Sequence, residues 1–283
     1  MQILPSFHDW FLAHRGEFDA VVFDIDGVLA AGGQKLPGAP EFLGGLRTLG
    51  VPFALLTNDG NHSVEEKAAF LNRHGFGLTP DEIVSCSDGL AEVAQERGLS
   101  GRLFFLVGDL GKPCFAEKAG LRGTRDLERL PECAGVIVGE EHYDWEKVVN
   151  GVINFFIRHP AAPLLVPNPD EYYPTKGGDI HVAAGGIARF IQRVLEVYGV
   201  RVEPVYMGKP FGPIFEHNHR LLEDRAGRKI PRGRVVMLGD SIASDIRGAN
   251  DFGYRSALLL TGVTREMHLS AAAAKPDLIF RGF

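Results

Sequence analysis

The sequence predicts an α/β protein whose parallel-sheet core is interrupted by an inserted α/β domain. Short apolar runs alternate with longer stretches in which the apolar residues are spaced for one face of a helix. This alternation is typical of parallel sheets covered by helices. Polar residues follow predicted strands at four places, near residues 24, 58, 209 and 240, and the second and third places lie far enough apart to enclose a further domain.

Apolar runs bounded by Gly, Pro, Asn or Asp are predicted to form strands at 20–23, 53–56, 103–107, 135–138, 164–166, 235–238, 256–260 and 278–280. Helical spacing predicts helices at 39–49, 64–74, 89–97, 145–158, 187–198, 213–226 and 242–252. Because several of these strands fall inside the long gap, we predict a core domain over 1–99 and 204–283 and an inserted domain over 100–203.

Composition narrows the class of protein. A net charge of −6 over 283 residues argues against a nucleic-acid partner, which usually meets a basic face. Three cysteines without metal-ligand spacing are typical of thiols in a reducing cytosol. The sequence shows no basic leader followed by an apolar segment, and no apolar run of the ~18 residues that span a bilayer. We therefore predict a cytoplasmic protein with no membrane segment.

The stretch "FDIDG" places Asp24 and Asp26 directly after the first predicted strand. Two carboxylates so close repel each other unless a divalent cation binds or one carboxyl stays protonated. A hard cation such as Mg²⁺ suits oxygen ligands and leaves room for phosphate oxygens. Gly27 permits a sharp turn that exposes backbone N–H groups to an anion. A solvated turn after a strand remains the alternative interpretation of this stretch alone.

The other three polar places offer matching chemistry. Thr57 and Asn58 precede a helix and offer a hydroxyl and an amide to an anion, or cap that helix. Lys209, between Gly and Pro, supplies a point charge for phosphate or is a solvated turn residue. Asp240 and Asp245 flank "SIAS" at a strand-to-helix turn, where they hold a metal ion or cap the helix.

The segments "DIDGV", "LLTN", "GKP" and "GDSIASD" follow one another in this order. Together they resemble the four motifs of the haloacid dehalogenase (HAD) superfamily. The large insert between the second and third motifs, with "LPGA" soon after the first, is similar to the subclass IIA phosphatases. These act on pyridoxal phosphate, 4-nitrophenyl phosphate, phosphoglycolate, sugar phosphates and nucleotides. The resemblance implies a Rossmann-like parallel-sheet core with an inserted α/β cap domain that sets substrate specificity.

The resemblance also implies roles for the carboxylates. Asp24 is expected to be the nucleophile that forms an aspartyl-phosphate, and Asp26 the general acid and then the base that activates water. Mg²⁺ is expected to bind the side chains of Asp24 and Asp240 and the backbone carbonyl of Asp26, while Asp245 holds a metal-bound water. Because the superfamily members that are not phosphatases often lack the second acid, Asp26 favours hydrolysis of a small phosphomonoester.

Phosphate binding is expected at Thr57, Asn58 and Lys209, with Gly27 at the adjoining turn. In "LLTNDG", Asp59 stands where many relatives have asparagine, and its charge would repel phosphate unless it points away. In the expected cap, five residues are candidate substrate contacts: Asn168, Asp170, Tyr172, Tyr173 and His181.

Two other functions remain open from the residues: phosphoryl transfer to an acceptor other than water, and a non-catalytic sensor of phosphorylated ligands. A small-molecule phosphate ester is the expected partner. The oligomeric state is left open by the sequence, and the resemblance favours a homodimer because cap-mediated dimers occur in relatives.

Overall fold

The computed structural model describes residues 2–175 and 179–283 of the chain. Its contacts divide it into two compact units. The first unit contains the chain up to Thr57 together with Val64–Val84 and Lys209–Phe283. The second unit contains Asn58–Ser63 and Ser85–Gly208.

The strands in chain order are β1 Ile3–Leu4, β2 Ala20–Phe23, β3 Ala30–Ala31, β4 Gln34–Lys35, β5 Phe53–Thr57, β6 Ile83–Ser85, β7 Leu103–Val107, β8 Arg122–Thr124, β9 Gly135–Val138, β10 Leu164–Val166, β11 Tyr172–Pro174, β12 Ile180–Val182, β13 Pro204–Tyr206, β14 Val235–Gly239, β15 Arg255–Leu259 and β16 Leu278–Phe280. The α-helices are α1 Phe7–Ala13, α2 Ala39–Thr48, α3 Val64–Asn72, α4 Asp88–Glu96, α5 Phe115–Lys118, α6 Trp145–Arg158, α7 Ala184–Tyr198, α8 Gly212–Ala226 and α9 Arg247–Phe252.

The first unit is built on a sheet with the strand order β1-β16-β15-β14-β2-β5-β6. The pairings from β1 through β5 in this order are all parallel. The central strands are fully buried, as the apolar run "AVVF" of β2 predicts for a strand covered on both faces. Since β14, β2 and β5 are parallel neighbours, their carboxyl ends meet at one edge of the sheet.

Aromatic packing fastens the chain termini to this unit. Phe7 of α1 lies edge to face with Phe42 at 5.3 Å and with Phe280 at 5.2 Å between ring centroids. All three rings are buried, and β1 pairs with β16 beside them. The amphipathic start of the chain therefore contributes to the core of the first unit.

The second unit has its own parallel sheet, with the strand order β13-β10-β9-β7-β8. Helices α6 and α7 pack against one another and bury Val152, Phe156, Ile187 and Ile191 in a core with the sheet. Helix α6 coincides with the predicted helix 145–158, whose apolar residues recur at helical spacing. The α/β fold class predicted from the sequence is confirmed.

The unit boundaries differ from the predicted 1–99, 100–203 and 204–283. Residues 85–99 belong to the second unit, because Leu90 and Val93 of α4 pack with Phe104 and Leu106. Residues 204–208 belong there too, because β13 pairs with β10, with Leu164 opposite Pro204. The strand before "GKP" is therefore part of the second sheet, whereas the other three polar segments follow strands of the first sheet.

Further elements were not predicted, among them β8, β11, β12 and β13. The predicted helix over 242–252 is a π-helical turn, Ile242–Ile246, followed by α9. Within 2–175 and 179–283, no helix combines the length and apolar character needed to cross a bilayer.

Candidate active site

Three aspartates meet in the first unit at the carboxyl ends of β2 and β14. Asp24 follows β2, Asp240 follows β14, and Asp245 lies in the π-helical turn behind it. Each offers a carboxylate oxygen, and these atoms all lie within 4.8 Å of one another. The side chains are nearly inaccessible: Asp24 is 9% exposed, Asp240 3% and Asp245 0%. Asp24 is distant in the sequence from Asp240 and Asp245, and the parallel sheet brings it close to them.

Lys209 lies between two of the three carboxylates. Its Nζ is 2.7 Å from Asp24 Oδ1 and 2.7 Å from Asp245 Oδ1. Burial alone would lower the pKa of Lys209, but the charges of Asp24 and Asp245 outweigh it and raise the pKa above its usual range. The lysine is therefore an ammonium at any physiological pH.

One ammonium does not balance the cluster. Burial, and then the charge of Asp245, raise the pKa of Asp24 well above its usual range. The same two causes raise the pKa of Asp240 to about 7. When all three carboxylates are ionised, one ammonium leaves two negative charges uncompensated, and a divalent cation would neutralise them. The oxygen-only donor set also fits Mg²⁺.

The loop after β15 clamps the carboxylate of Asp240. The backbone N–H of Val263 donates to Asp240 Oδ2 at 2.6 Å. A Cβ on Gly262 would lie 1.8 Å from the same oxygen, and a Cβ on Gly27 would lie 2.3 Å from it. Gly27 also has a φ of +85°, which favours glycine. Both glycines therefore make room for this carboxylate, and the sequence prediction did not include the "TGVT" loop.

The backbone N–H of Gly27 is not exposed to an anion as the sequence predicted. Its N–H donates to the carbonyl of Ala30 at 2.7 Å, and its carbonyl accepts from the Thr261 hydroxyl at 2.6 Å. The turn thus uses its own N–H internally, because the chain folds back after "DGVL". In this structure Gly27 contributes space for Asp240 rather than a free donor for an anion.

Asp245 shapes the turn that carries it. Its Oδ2 accepts from the backbone N–H groups of Asp240 at 3.1 Å and Ser241 at 3.0 Å. Its Oδ1 is the atom that meets Lys209. One carboxyl group therefore both holds the backbone beside Asp240 and orients the lysine.

Asp26 lies apart from the three buried carboxylates. Its side chain is 66% exposed, and its Oδ2 lies 2.9 Å from Lys67 Nζ on α3. Lys67 is 10% exposed at its side chain and shares the buried stripe of α3 with Ala68 and Leu71. The sequence contained this signal, because a lysine at an apolar position of a helix usually has a partner, but Lys67 was not predicted as a site residue.

The predicted phosphate-binding pair is divided by the unit boundary. Thr57 ends β5 in the first unit and is 2% exposed. Asn58 begins the second unit, where its Nδ2 donates to Asp170 Oδ2 at 3.1 Å. Asp59 turns its carboxylate into its own loop and accepts from the backbone N–H groups of Asn61 at 2.8 Å and His62 at 3.2 Å. The open question about Asp59 thus has a local answer: it stabilises this turn.

The candidate cap contacts fall into two groups, both in the second unit. Asn168 and Asp170 belong to a buried network around Glu140, which the sequence prediction did not include. Tyr173 and His181 line a cavity of about 400 Å³ in which the Tyr173 hydroxyl bonds Glu141 and approaches His181 Nδ1 at 3.3 Å. Residues 176–178, which lie between Tyr173 and His181 in the sequence, are outside the described residues. Tyr172, the neighbour of Tyr173 on β11, is 53% exposed.

Fold and site together define an α/β protein with an acidic centre, at the carboxyl ends of a parallel sheet, that could hold a metal ion. A family model for haloacid dehalogenase-like hydrolases matches residues 21–122, and a HAD-hydrolase-like model matches residues 206–283. The chain belongs to the haloacid dehalogenase-like hydrolases.

Relatives of known name match over most of this chain. Chronophin of Rattus norvegicus is 29% identical over 273 residues, covering 93% of this chain and 84% of that protein. Dihydroxyacetone phosphatase of Corynebacterium glutamicum is 27% identical over 254 residues, covering 89% of this chain and 85% of that protein. The crystal structure of a possible sugar phosphatase from Cytophaga hutchinsonii is 26% identical with a TM-score of 0.82, covering 100% of this chain and 98% of that one.

Proposed function

We propose that this protein is a Mg²⁺-dependent phosphatase that hydrolyses a small phosphomonoester through an aspartyl-phosphate on Asp24. The observation that carries the proposal is the meeting of Asp24, Asp240 and Asp245 within 4.8 Å, with Lys209 at 2.7 Å from two of them. The named phosphatases among the relatives support the same activity.

Asp24, Asp240 and Asp245, with the backbone carbonyl of Asp26, would hold the Mg²⁺ ion. When bound, the ion shields the charges of the carboxylate and the phosphate so that the two can approach. Lys209 adds a fixed positive charge, which its buried ion pairs keep protonated. Phosphoryl transfer depends mainly on such positioning and charge stabilisation, because its transition state spreads negative charge over three oxygens.

The reaction divides into two steps. In the first, an oxygen of Asp24 forms a bond to phosphorus while the ester P–O bond breaks, and Asp26 gives its proton to the leaving oxygen. In the second, Asp26 takes a proton from water, and the water oxygen displaces Asp24 to release inorganic phosphate. The high exposure of Asp26, 66% at its side chain, suits a group that exchanges protons with both a leaving group and water.

Substrate selection is proposed to belong to the second unit. Asn168, Asp170, Tyr172, Tyr173 and His181 remain the proposed contacts with the leaving group. Their amide, carboxylate, phenol and imidazole groups suit a polar, hydroxylated or heteroaromatic leaving group. Sugar phosphates, pyridoxal phosphate, phosphoglycolate and nucleotides are the candidate substrates.

Hydrolysis of 4-nitrophenyl phosphate by the purified protein tests the proposal. We expect nitrophenol release that requires Mg²⁺, stops on chelation, and falls by about 10⁴-fold or more in Asp24→Asn. Asp109→Asn is the matched control, because Asp109 also follows a strand with "GKP" nearby but pairs with His142 at 2.7 Å in the second unit. Equal activity of Asp24→Asn and the wild type would overturn the proposed nucleophile.

A panel of phosphate esters ranked by kcat/KM then identifies the substrate class. Faster appearance of phosphate on an added alcohol than in solution would assign transfer rather than hydrolysis. Binding of esters without turnover at any Mg²⁺ concentration would assign a sensor.

A further inference from the structure

The second unit contains a buried carboxylate, Glu140. Glu140 follows β9 and is 3% exposed. Its Oε1 accepts from Asn168 Nδ2 at 2.6 Å and from the backbone N–H of Ala184 at 3.3 Å, while its Oε2 accepts from Asn61 Nδ2 at 2.9 Å. Lys and Arg donate none of these bonds, so an ionised Glu140 is held by neutral dipoles alone.

From Glu140 a chain of hydrogen bonds leads to the predicted phosphate-binding amide. Asn168 Nδ2 donates to Glu140, and Asn168 Oδ1 accepts from the backbone N–H of Asp170 at 2.9 Å. Asp170 Oδ2 in turn accepts from Asn58 Nδ2 at 3.1 Å. Gly208 packs against this amide, since a Cβ there would lie 2.5 Å from Asn58 Oδ1. The Asn58 side chain is therefore fixed by contacts on both of its amide atoms.

We propose that Glu140 is a positioning residue that orients the Asn58 amide for the phosphoryl group through Asn168 and Asp170. The inference rests on the proposed function for the role of Asn58, whereas the chain of hydrogen bonds is a property of the second unit alone. A chain of hydrogen bonds that is linked in series and largely shielded from water favours one geometry, because each member loses a partner if its neighbour turns. Glu140 also ties in Asn61, so the loop after β5 is held at two points.

The burial of Glu140 and two acidic neighbours give it a pH dependence that a purely structural residue would lack. Burial is the largest cause that raises the pKa of Glu140, to about 7, and the charges of Asp59 and Asp170 raise it further. Other ionisable groups electrostatically coupled to it are Tyr143, Tyr173 and Cys86, and His62 pairs with Asp59. Protonation removes acceptor capacity from the oxygens that hold Asn61 and Asn168. Positioning by Glu140 should therefore strengthen as the pH rises through about 7.

The test compares the wild type with Glu140→Gln, using 4-nitrophenyl phosphate as the probe substrate. We expect the KM to rise about tenfold at high pH, the equivalent of one lost hydrogen bond, with little change in kcat. The ratio of kcat/KM between wild type and variant is measured from about pH 5.5 to about pH 8.5. Titration of groups common to both proteins affects both values equally and therefore cancels in this ratio. This ratio should rise through about pH 7. A flat ratio near one would overturn the proposal.

The chain of hydrogen bonds from Glu140 through Asn168 and Asp170 to Asn58 is called the relay below. Two further variants distinguish an effect transmitted through this relay from a general disturbance of the fold. Glu146→Gln changes an exposed carboxylate on α6 and should leave kcat and KM as in the wild type. Asp170→Asn alters the middle of the relay, so combining it with Glu140→Gln should cost less than the sum of the two single effects. Strict additivity would assign the two residues to independent roles and contradict the relay.

A spectroscopic measurement tests the relay independently of the proposed phosphatase activity. In the ¹⁵N-labelled protein, the side-chain amide signals of Asn58, Asn61 and Asn168 should shift in Glu140→Gln and stay in place in Glu146→Gln. If these signals shift but the wild type hydrolyses no phosphate ester, the proposed function fails and the hydrogen-bond relay stands. If the wild type is active and the Asn58 signal does not move, the relay fails and the function stands.

Discussion

In the part of the chain that the structure describes, both units bury acidic side chains, three in the first unit and Glu140 in the second, and they compensate the charge in different ways. In the first unit, the carboxylates of Asp24 and Asp245 each lie 2.7 Å from the ammonium of Lys209. In the second unit, Glu140 is surrounded by the amides of Asn61 and Asn168 and one backbone N–H, with no cationic side chain bonded to it among the contacts described. In the first unit an ammonium compensates the carboxylates, whereas in the second unit neutral hydrogen-bond donors alone stabilise the charge of Glu140.

The difference indicates what each arrangement is suited to do. The first cluster keeps an excess of negative charge that a cation can complete, so it is suited to chemistry on an anion. In the second cluster both oxygens of Glu140 accept hydrogen bonds, but its burial makes ionisation costly in free energy, so it is suited to fixing geometry. Changes to Lys209 should therefore affect activity strongly, while changes to Glu140 should appear mainly in affinity and in the pH dependence of stability.

Removing the cation of the first cluster should have the largest effect. We expect Lys209→Met to lower kcat by about 10²- to 10³-fold, the cost of losing one charge that stabilises a transition state. Loss of a buried partner also leaves the carboxylates uncompensated, and we expect it to destabilise the fold by about 3–5 kcal/mol without Mg²⁺. Steady-state kinetics and thermal unfolding with and without Mg²⁺ measure the two effects.

The second "GKP" of the chain provides the control for this change. Lys112 lies in the second unit and is exposed, so Lys112→Met should leave kcat within about twofold of the wild type. Lys209→Arg serves where Lys209→Met does not fold, because it keeps the charge but not the point geometry of the ammonium. Equal kinetics for the Lys209 and Lys112 variants would remove the distinction between the two segments.

This pair of lysines also shows what the sequence could predict. Lys209 and Lys112 stand in the same tripeptide, and the order of the surrounding motifs selected Lys209. The central strands were predicted closely because a strand buried on both faces is a continuous apolar run, as in β2, β7 and β9. Asp24, Asp240 and Asp245 were predicted because each directly follows such a strand or the turn after it.

What the sequence did not predict depends on partners distant in the chain. The exposed hairpin of β11 and β12 has no buried face to impose a pattern over its three-residue strands. Helix α4 was assigned to the core because nothing in its own residues tells which sheet its apolar face will meet. Glu140 resembles any polar residue after a strand, and only the folded second unit places the amides of Asn61 and Asn168 on it.

The second cluster should reveal itself in the pH dependence of folding stability. The pKa of Glu140 lies at about 7 in the folded chain, above its ordinary 4.5, so the folded state holds a proton that the unfolded state releases between these values. Its contribution to the free energy of unfolding therefore falls as the pH rises through this window, by at most about 3 kcal/mol. Glu140→Gln does not titrate, so its free energy of unfolding does not undergo this decrease.

Chemical denaturation of both proteins at a series of pH values measures this difference. The stability of Glu140→Gln relative to the wild type should increase between about pH 5 and about pH 8. Hydrogen bonds that the variant loses change its free energy of unfolding by the same amount at every pH, so they do not produce this pH dependence. Glu146→Gln should track the wild type at every pH, and a Glu140→Gln curve that runs parallel to the wild type would show that Glu140 carries no buried charge.

The smallest expected effect concerns the fourth acidic residue of the first unit's site, Asp26. Its partner Lys67 is buried, but Asp26 is 66% exposed, so water screens their 2.9 Å ion pair, which is worth roughly 0–1 kcal/mol. We expect Lys67→Met to lower kcat/KM by no more than about fivefold, since Asp26 then samples more orientations. Stability should be kept or slightly raised, because methionine suits the buried stripe beside Ala68 and Leu71.

Kinetics of Lys67→Met, Lys67→Arg and Lys35→Met with 4-nitrophenyl phosphate test this expectation. Lys35 is an exposed lysine of the same unit and controls for the loss of one positive charge from its surface. Lys67→Arg should restore most of the activity if the ion pair holds Asp26 in place. A loss beyond about a hundredfold in Lys67→Met would instead place Lys67 among the groups that contact the reacting phosphate, because an exposed ion pair is too weak to account for it.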